Sequence, residues 1–189
     1  DVEFKDGRYR VKGTDLSIAF EEMARRYGSQ LDARGSIPTP TAFPGGAHVA
    51  EVEIDAETGR VDVLRYVAVD DSGRVLNHVL LDGQIHGGIL QGLGQVLAEQ
   101  CLYDEASGQL LTGSFMDYAM PRTDMVPAME LHDHSVPSPT NPLGVKGAGE
   151  AGAVGAPAAV VNAVVNALGV RHLDMPLTPE KIWKSTISS

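Results

Sequence analysis

Ten of the chain's 21 glycines fall in two short windows, and they limit what the chain can fold into more than any other feature. Gly83, Gly87, Gly88, Gly92 and Gly94 make the first window; Gly144, Gly147, Gly149, Gly152 and Gly155 make the second. A glycine inside a helix costs about 1 kcal/mol relative to alanine. A segment that carries several must regain that through close packing or through a bound group. In the first window Ile85, Ile89, Leu93, Val96 and Leu97 recur at helical spacing, which predicts a helix from about Asp82 to Gln100. Two readings of its glycines stay open. Gly88-x-x-x-Gly92 suits close helix packing. Alternatively, backbone N–H groups at the helix start face an anionic ligand. Gln91 carries both a donor and an acceptor for such a ligand, or for a neighbouring backbone. His86 lies in the same window.

The second window reads Asn141-Pro-Leu-Gly144-Val-Lys146-Gly147-Ala148-Gly149-Glu150-Ala-Gly152-Ala-Val-Gly155-Ala-Pro157. It holds one lysine and one carboxylate among small residues. Small neighbours leave room for a bulky ligand. In a dry site, desolvation would raise the proton affinity of Glu150 toward that of a general base. The competing reading is a flexible loop with a solvated Glu150. Gly147-x-Gly149-x-x-Gly152 also matches the dinucleotide fingerprint, with Asp174 downstream. Its context argues against nicotinamide binding. A proline-rich segment precedes it instead of a buried strand, and Pro157 falls where the helix should already be running. Pro157 instead reads as the first residue of a helix carrying Val160, Val161, Val164, Val165 and Leu168, closed by Gly169.

The rest of the chain is predicted to be α+β. Phe4, Tyr9 and Val11 flank an Asp6-Gly7 turn. Leu16 to Tyr27 reads as a helix capped by Asp15 or Ser17 and ended by Gly28. Ala50, Val52 and Ile54 alternate into a hairpin with Val61, Val63, Val67 and Val69. Residues 113–140 read as irregular. We expect a single domain over residues 1–189, with proline-rich loops near 36–47 and 121–142. Nothing repeats. One cysteine, Cys101, rules out an intrachain disulfide and a four-cysteine iron–sulfur site, and it reads as a packing residue. The net charge of −10 argues against nucleic-acid binding. No apolar run approaches the ~20 residues of a membrane span. His132-Asp133-His134 reads as solvated, and His48 and His78 show no partner in the sequence. A chain that opens on Asp1 without Met is what a portion of a longer protein looks like.

Three segments together resemble one family. Gly83-Gln-Ile-His-Gly-Gly-Ile-Leu-Gln91-Gly-Leu-Gly94, Thr112-Gly-Ser-Phe-Met-Asp-Tyr118 and Asn141-Pro-Leu-Gly-Val-Lys-Gly-Ala-Gly-Glu150 are similar to segments of the large subunit of molybdenum hydroxylases. These are the xanthine dehydrogenases and aerobic carbon monoxide dehydrogenases, and the resemblance runs from near His48 through Trp183. It implies the C-terminal part of a molybdopterin-binding region. It implies a molybdenum ion held by a pterin dithiolene and by no protein side chain, and a cofactor in its cytosine dinucleotide form. The implied reaction adds water-derived oxygen to a substrate carbon, as in aldehydes and aromatic heterocycles, or oxidises carbon monoxide. Glu150 matches the family's catalytic base. Gln91 matches a glutamine that hydrogen-bonds the cofactor. Gly87, Gly88, Lys146, Gly147, Ala148 and Gly149 are implied to lie against the pterin dinucleotide. The implied partners are the remainder of the large subunit, an FAD subunit and a 2Fe–2S subunit, in a cytoplasmic dimer of heterotrimers. A non-catalytic cofactor-binding or assembly domain, inactive in isolation, is the alternative.

Overall fold

A computed structural model describes residues 1–36 and 40–187. The predicted loop at 36–47 therefore lies partly outside the described residues. The chain divides into two compact units, Asp1–Thr39 and Pro40–Ser189.

The first unit is a three-stranded antiparallel meander, β1 (Val2–Lys5), β2 (Arg8–Val11) and β3 (Ser17–Ala19), followed by helix α1 (Phe20–Tyr27). Asp6 and Gly7 both take positive φ, 51° and 71°, which matches the right-handed twist of the β1–β2 hairpin. Phe4, Tyr9 and Phe20 cluster, with ring centroids 4.7 to 6.5 Å apart. The helix starts later than predicted. Leu16 precedes β3, Ala19 is the N-cap, and neither Asp15 nor Ser17 caps it. Pairing of Ser17, Ile18 and Ala19 with β2 holds residues 17–19 extended, and the Ser17 hydroxyl accepts from Arg8.

The second unit is a mixed sheet with helices against it. Strands β4 (Gly45–Ile54) and β5 (Val61–Asp71) form the predicted hairpin, extended at both ends, with a bulge between Glu51 and Val52. A third strand, β6 (Ala128–Asp133), runs parallel to β5 inside the stretch read as irregular. Its apolar signal is short and flanked by prolines, so pairing with β5 creates it. Residues of one parity face inward: Tyr66 and Ala68 are fully buried on β5, and Ala50, Val52 and Ile54 are partly buried on β4.

Helix α2 (His78–Leu97) begins four residues before the predicted start. Asn77 caps it, its side-chain oxygen accepting from the Leu80 N–H at 3.1 Å. Helix α3 spans Ala151–Leu168, so Pro157 lies inside it and not at its head. Gly169, at φ 66° and ψ 21°, closes it as predicted. At 18 residues and mean hydropathy 1.6, α3 comes up to membrane-span length by composition. Here it is a packing helix, with Gly152, Ala156, Val160 and Val164 buried. Helix α4 (Pro179–Ile187) closes the core with Ile182, and Leu177 just before it is also buried. The turn of the hairpin docks on it: Gly59, at φ 73°, lies so close that a Cβ would meet the Trp183 nitrogen at 2.7 Å.

Candidate functional site

The two glycine windows meet each other. A Cβ on Gly88 would lie 3.1 Å from the Ala153 nitrogen and 3.2 Å from Gly152 Cα. A Cβ on Gly92 would lie 2.7 Å from Ala156 Cβ and 3.0 Å from Pro157 Cδ. As α2 advances from 88 to 92, α3 advances from 152 to 156, so the helices run parallel in close contact. Packing explains Gly88 and Gly92. The helix-start reading is corrected by the same observation, because the first window lies inside α2, where backbone N–H groups are committed to the helix.

Other glycines face open space. A Cβ on Gly83, Gly87 or Gly147 would meet nothing within 4 Å, and one on Gly149 would meet Gln84 Oε1 alone, at 3.6 Å. Gly87, Gln84 and Gln91 are all exposed on α2 and lie at helical spacing. Gln84 is the glutamine next to Gly149; Gln91 lies two turns further along. The sequence reading overlooked Gln84, although it opens the same segment.

Glu150 is the N-cap residue of α3, at φ −106° and ψ −7°. Its carbonyl accepts the Val154 N–H at 2.9 Å, but its carboxylate makes no capping bond. The carboxylate is thus not spent on holding its own helix. Glu150 is exposed, so the dry wall imagined from its small neighbours is not supplied by this chain.

The loop before Glu150 is stapled to the end of β5. Asn141 brackets Val145, accepting from its N–H at 3.1 Å and donating to its carbonyl at 2.9 Å. Val145 bridges to Gly73, and the Lys146 N–H donates to Ser72 O at 3.0 Å. The Lys146 ammonium pairs with Asp71 Oδ2. That hydrogen bond, with N–H donors of Val136 and Gly73, holds the Asp71 carboxyl at about 2, well below the usual range. Lys146 is therefore engaged with its own fold and anchors the loop. The Gly147-x-Gly149-x-x-Gly152 run does lead into a helix, but an isolated bridge at Val145 precedes it where a dinucleotide fold needs a strand.

A cavity of about 220 Å³ opens beside Glu150, lined also by Gly46, His48, Asp70, Ala151 and Gly155. His48 is not partnerless. Its Nδ1 lies 2.8 Å from Tyr66 OH and its Nε2 3.1 Å from Asp70 Oδ1. The signal in the sequence was its place in the alternation His48, Ala50, Val52, Ile54. Ala68 sits opposite His48, and Tyr66 and Asp70 flank Ala68 on the same face.

The remaining candidates lie elsewhere. His86 Nδ1 contacts the Asp82 carbonyl at 2.7 Å. His132 and Asp133 end β6. Cys101 lies past the end of α2 and is exposed, so it is not a packing residue. In the 112–118 segment Ser114 donates to Asp117 at 2.7 Å and Tyr118 to Glu99 at 2.6 Å, while Phe115 and Met116 are 82% and 93% exposed.

Bare backbone at Gly87, Gly147 and Gly149, with a glutamine and an unspent carboxylate beside it, fits a bulky group that needs close approach to the main chain. Residues 1–127 match the molybdopterin cofactor-binding domain family. The chain is 44% identical, over 98% of its length and 25% of the relative's, to the nicotine 6-hydroxylase large subunit of Paenarthrobacter nicotinovorans. It is 36% identical to the carbon monoxide dehydrogenase large chain of Hydrogenophaga pseudoflava, covering 98% of this chain and 24% of that one. The crystal structure of quinoline 2-oxidoreductase from Pseudomonas putida 86 superimposes with a TM-score of 0.75 at 36% identity, over 99% of this chain and 26% of that one. The chain thus spans about a quarter of the length of these relatives. It belongs to the molybdopterin cofactor-binding domain family and corresponds to a fragment of a molybdenum hydroxylase large subunit.

Proposed function

We propose that this chain supplies one wall of the active site of a molybdenum-dependent oxidoreductase, with Glu150 as the proton-accepting carboxylate. The observation that carries the reading is the placement of Glu150: it heads α3, leaves its helix uncapped by its side chain, and stands beside open glycine backbone. The bound molybdenum cofactor, in its cytosine dinucleotide form, supplies activation of a water-derived oxygen and a sink for two electrons. Gly87, Gly147, Ala148 and Gly149 give it backbone access, and Gln84 and Gln91 offer it hydrogen bonds. Gly88 serves helix packing and Lys146 holds the loop, so neither is assigned to the cofactor. Glu150 takes up the proton that the attacking oxygen gives up. Its exposure here means that other parts of the assembly must cover it before low dielectric can strengthen that role.

Likeness to a nicotine 6-hydroxylase and a quinoline 2-oxidoreductase favours an aromatic nitrogen heterocycle as substrate, ahead of an aldehyde or carbon monoxide. With one cysteine, the chain passes its electrons to 2Fe–2S and FAD centres on partner subunits, in a cytoplasmic dimer of heterotrimers. The exposed Glu150 also favours a second reading for the chain by itself: a cofactor-binding or assembly domain without turnover.

In the holoenzyme, Glu150→Gln should lower kcat by about 100-fold or more with molybdenum content unchanged. Unaltered turnover would remove Glu150 from the reaction. Molybdenum and pterin analysis of the isolated chain separates the two readings, because a stoichiometric load would show that it needs no other wall.

A further inference from the structure

A buried hydrogen-bonded chain runs beneath the head of α3. The Tyr66 ring is fully buried, and the His48 and Asp70 side chains are each 5% exposed. Burial, and then the nearby Asp70 charge, push the Tyr66 phenol well above its ordinary range, so it keeps its proton. His48 Nδ1 faces the Tyr66 hydroxyl, and its Nε2 faces the Asp70 carboxylate, which can only accept, so Nε2 donates to Asp70 Oδ1. The imidazole is held from both sides in one orientation.

Two glycines make room for this arrangement. A Cβ on Gly155 of α3 would lie 2.6 Å from both Cγ and Cε1 of His48, so the ring lies flat against the helix backbone. A Cβ on Gly46 would strike the Asp70 carboxylate, 3.2 Å from its Cγ and nearer still to Oδ1. Asp70 Oδ2 is buried with no partner among the described residues. Such a cost persists where the surrounding structure requires a fixed arrangement. The cavity beside this chain is the one that Glu150 lines.

We propose that His48 is a positioning residue for Glu150. Clamped between Tyr66 and Asp70, its ring sets the height and angle of the first turns of α3, and through them where the Glu150 carboxylate enters the site. The proposal rests on the reading of Glu150 as the working carboxylate. In this role His48 acts through the backbone of α3.

The test uses the full-length holoenzyme and five variants: His48→Ala, His48→Gln, Tyr66→Phe, the pair His48→Ala with Gly155→Ala, and Glu150→Gln. Glutamine keeps an amide donor that reaches toward Asp70, and alanine at 155 fills the space that the ring leaves. His48→Ala should lower kcat by about tenfold or more, with KM within about twofold and normal molybdenum content. Amide hydrogen exchange at residues 151–155 should rise with it. His48→Gln should regain most of kcat, and Tyr66→Phe, which keeps the packing, should lose part of it. The pair should regain thermal stability without regaining kcat. Wild-type kcat in His48→Ala, no gain from glutamine, or recovery of both stability and kcat in the pair would each overturn the positioning role. Wild-type turnover in Glu150→Gln would instead overturn the reading on which it rests.

Discussion

Gly152 of α3 sits directly on the backbone of Ile89 in α2: a Cβ there would lie 2.5 Å from the Ile89 nitrogen and 2.6 Å from the Ile85 carbonyl oxygen. These are main-chain atoms in a regular helix, so they cannot turn aside as a side chain can. With Gly88 and Gly92, this contact lets the two helices lie closer than side chains of ordinary size allow. Three of the ten glycines in the two windows serve this helix–helix contact.

Gly152→Ala should therefore be destabilising despite alanine's higher helix propensity, by about 1–3 kcal/mol, the usual cost of overpacking. Gly87→Ala is the control from the same helix. Its Cβ meets nothing within 4 Å, so stability should hold or rise by about 0.5–1 kcal/mol. Denaturant midpoints of the two variants test the packing. Molybdenum content tests the rest: a loss of cofactor in a stable Gly87→Ala protein would mark the open face of α2 as the cofactor's own.

The two glutamines of α2 should differ. Gln84 lies next to Gly149, in the residue just before Glu150, while Gln91 projects from the same exposed stripe further along. Gln84→Ala is expected to lower turnover and cofactor retention more than Gln91→Ala. Equal effects, or the reverse order, in kcat and pterin content would restore Gln91 as the main contact.

The Lys146–Asp71 pair gives a pH signature. Asp71 is held at about 2 when folded, below its ordinary value of 3.8. A carboxylate depressed in this way stabilises the fold above its unfolded value, and that contribution is lost as pH falls through the folded one. The loss thus falls between about pH 4 and pH 2. Replacing Lys146 with Met should flatten the Tm-against-pH curve in that window and lower Tm above it. Parallel curves for the two proteins would mean that the pair contributes nothing.

Gly59→Ala should destabilise through two causes at once. The residue stands at φ 73°, and its Cβ would fall 2.7 Å from the Trp183 nitrogen and 2.9 Å from the Pro179 carbonyl carbon. Thermal melting that matches wild type would show that the hairpin turn does not dock on α4.

Local signals in the sequence were reliable where they were dense. The β4–β5 hairpin shows in strict alternation, the Asp6-Gly7 turn in its residue pair, and the closure of α3 in Gly169. They failed where contact overrides propensity. Residues 17–19 fall in a stretch that reads as helix but pair with β2, Pro157 suggests a helix start but sits inside α3, and β6 exists because β5 offers it an edge. Glu150 stood out in the sequence as the one carboxylate among small residues of the second window, but its role came only from the family resemblance. Gln84 and His48 did not stand out, because neither shows its neighbour in the chain.

The sequence by itself determined the kinds of local structure, the apolar faces and the family, since periodicity, turn residues and motif wording are properties of neighbouring residues. Only the tertiary structure decided what each glycine is for. Gly88, Gly92 and Gly152 meet another helix, Gly155 meets an imidazole, and Gly87, Gly147 and Gly149 face open space or a single glutamine oxygen. A residue without a side chain carries no record of its partner. What it makes room for is set by atoms that folding brings from elsewhere in the chain.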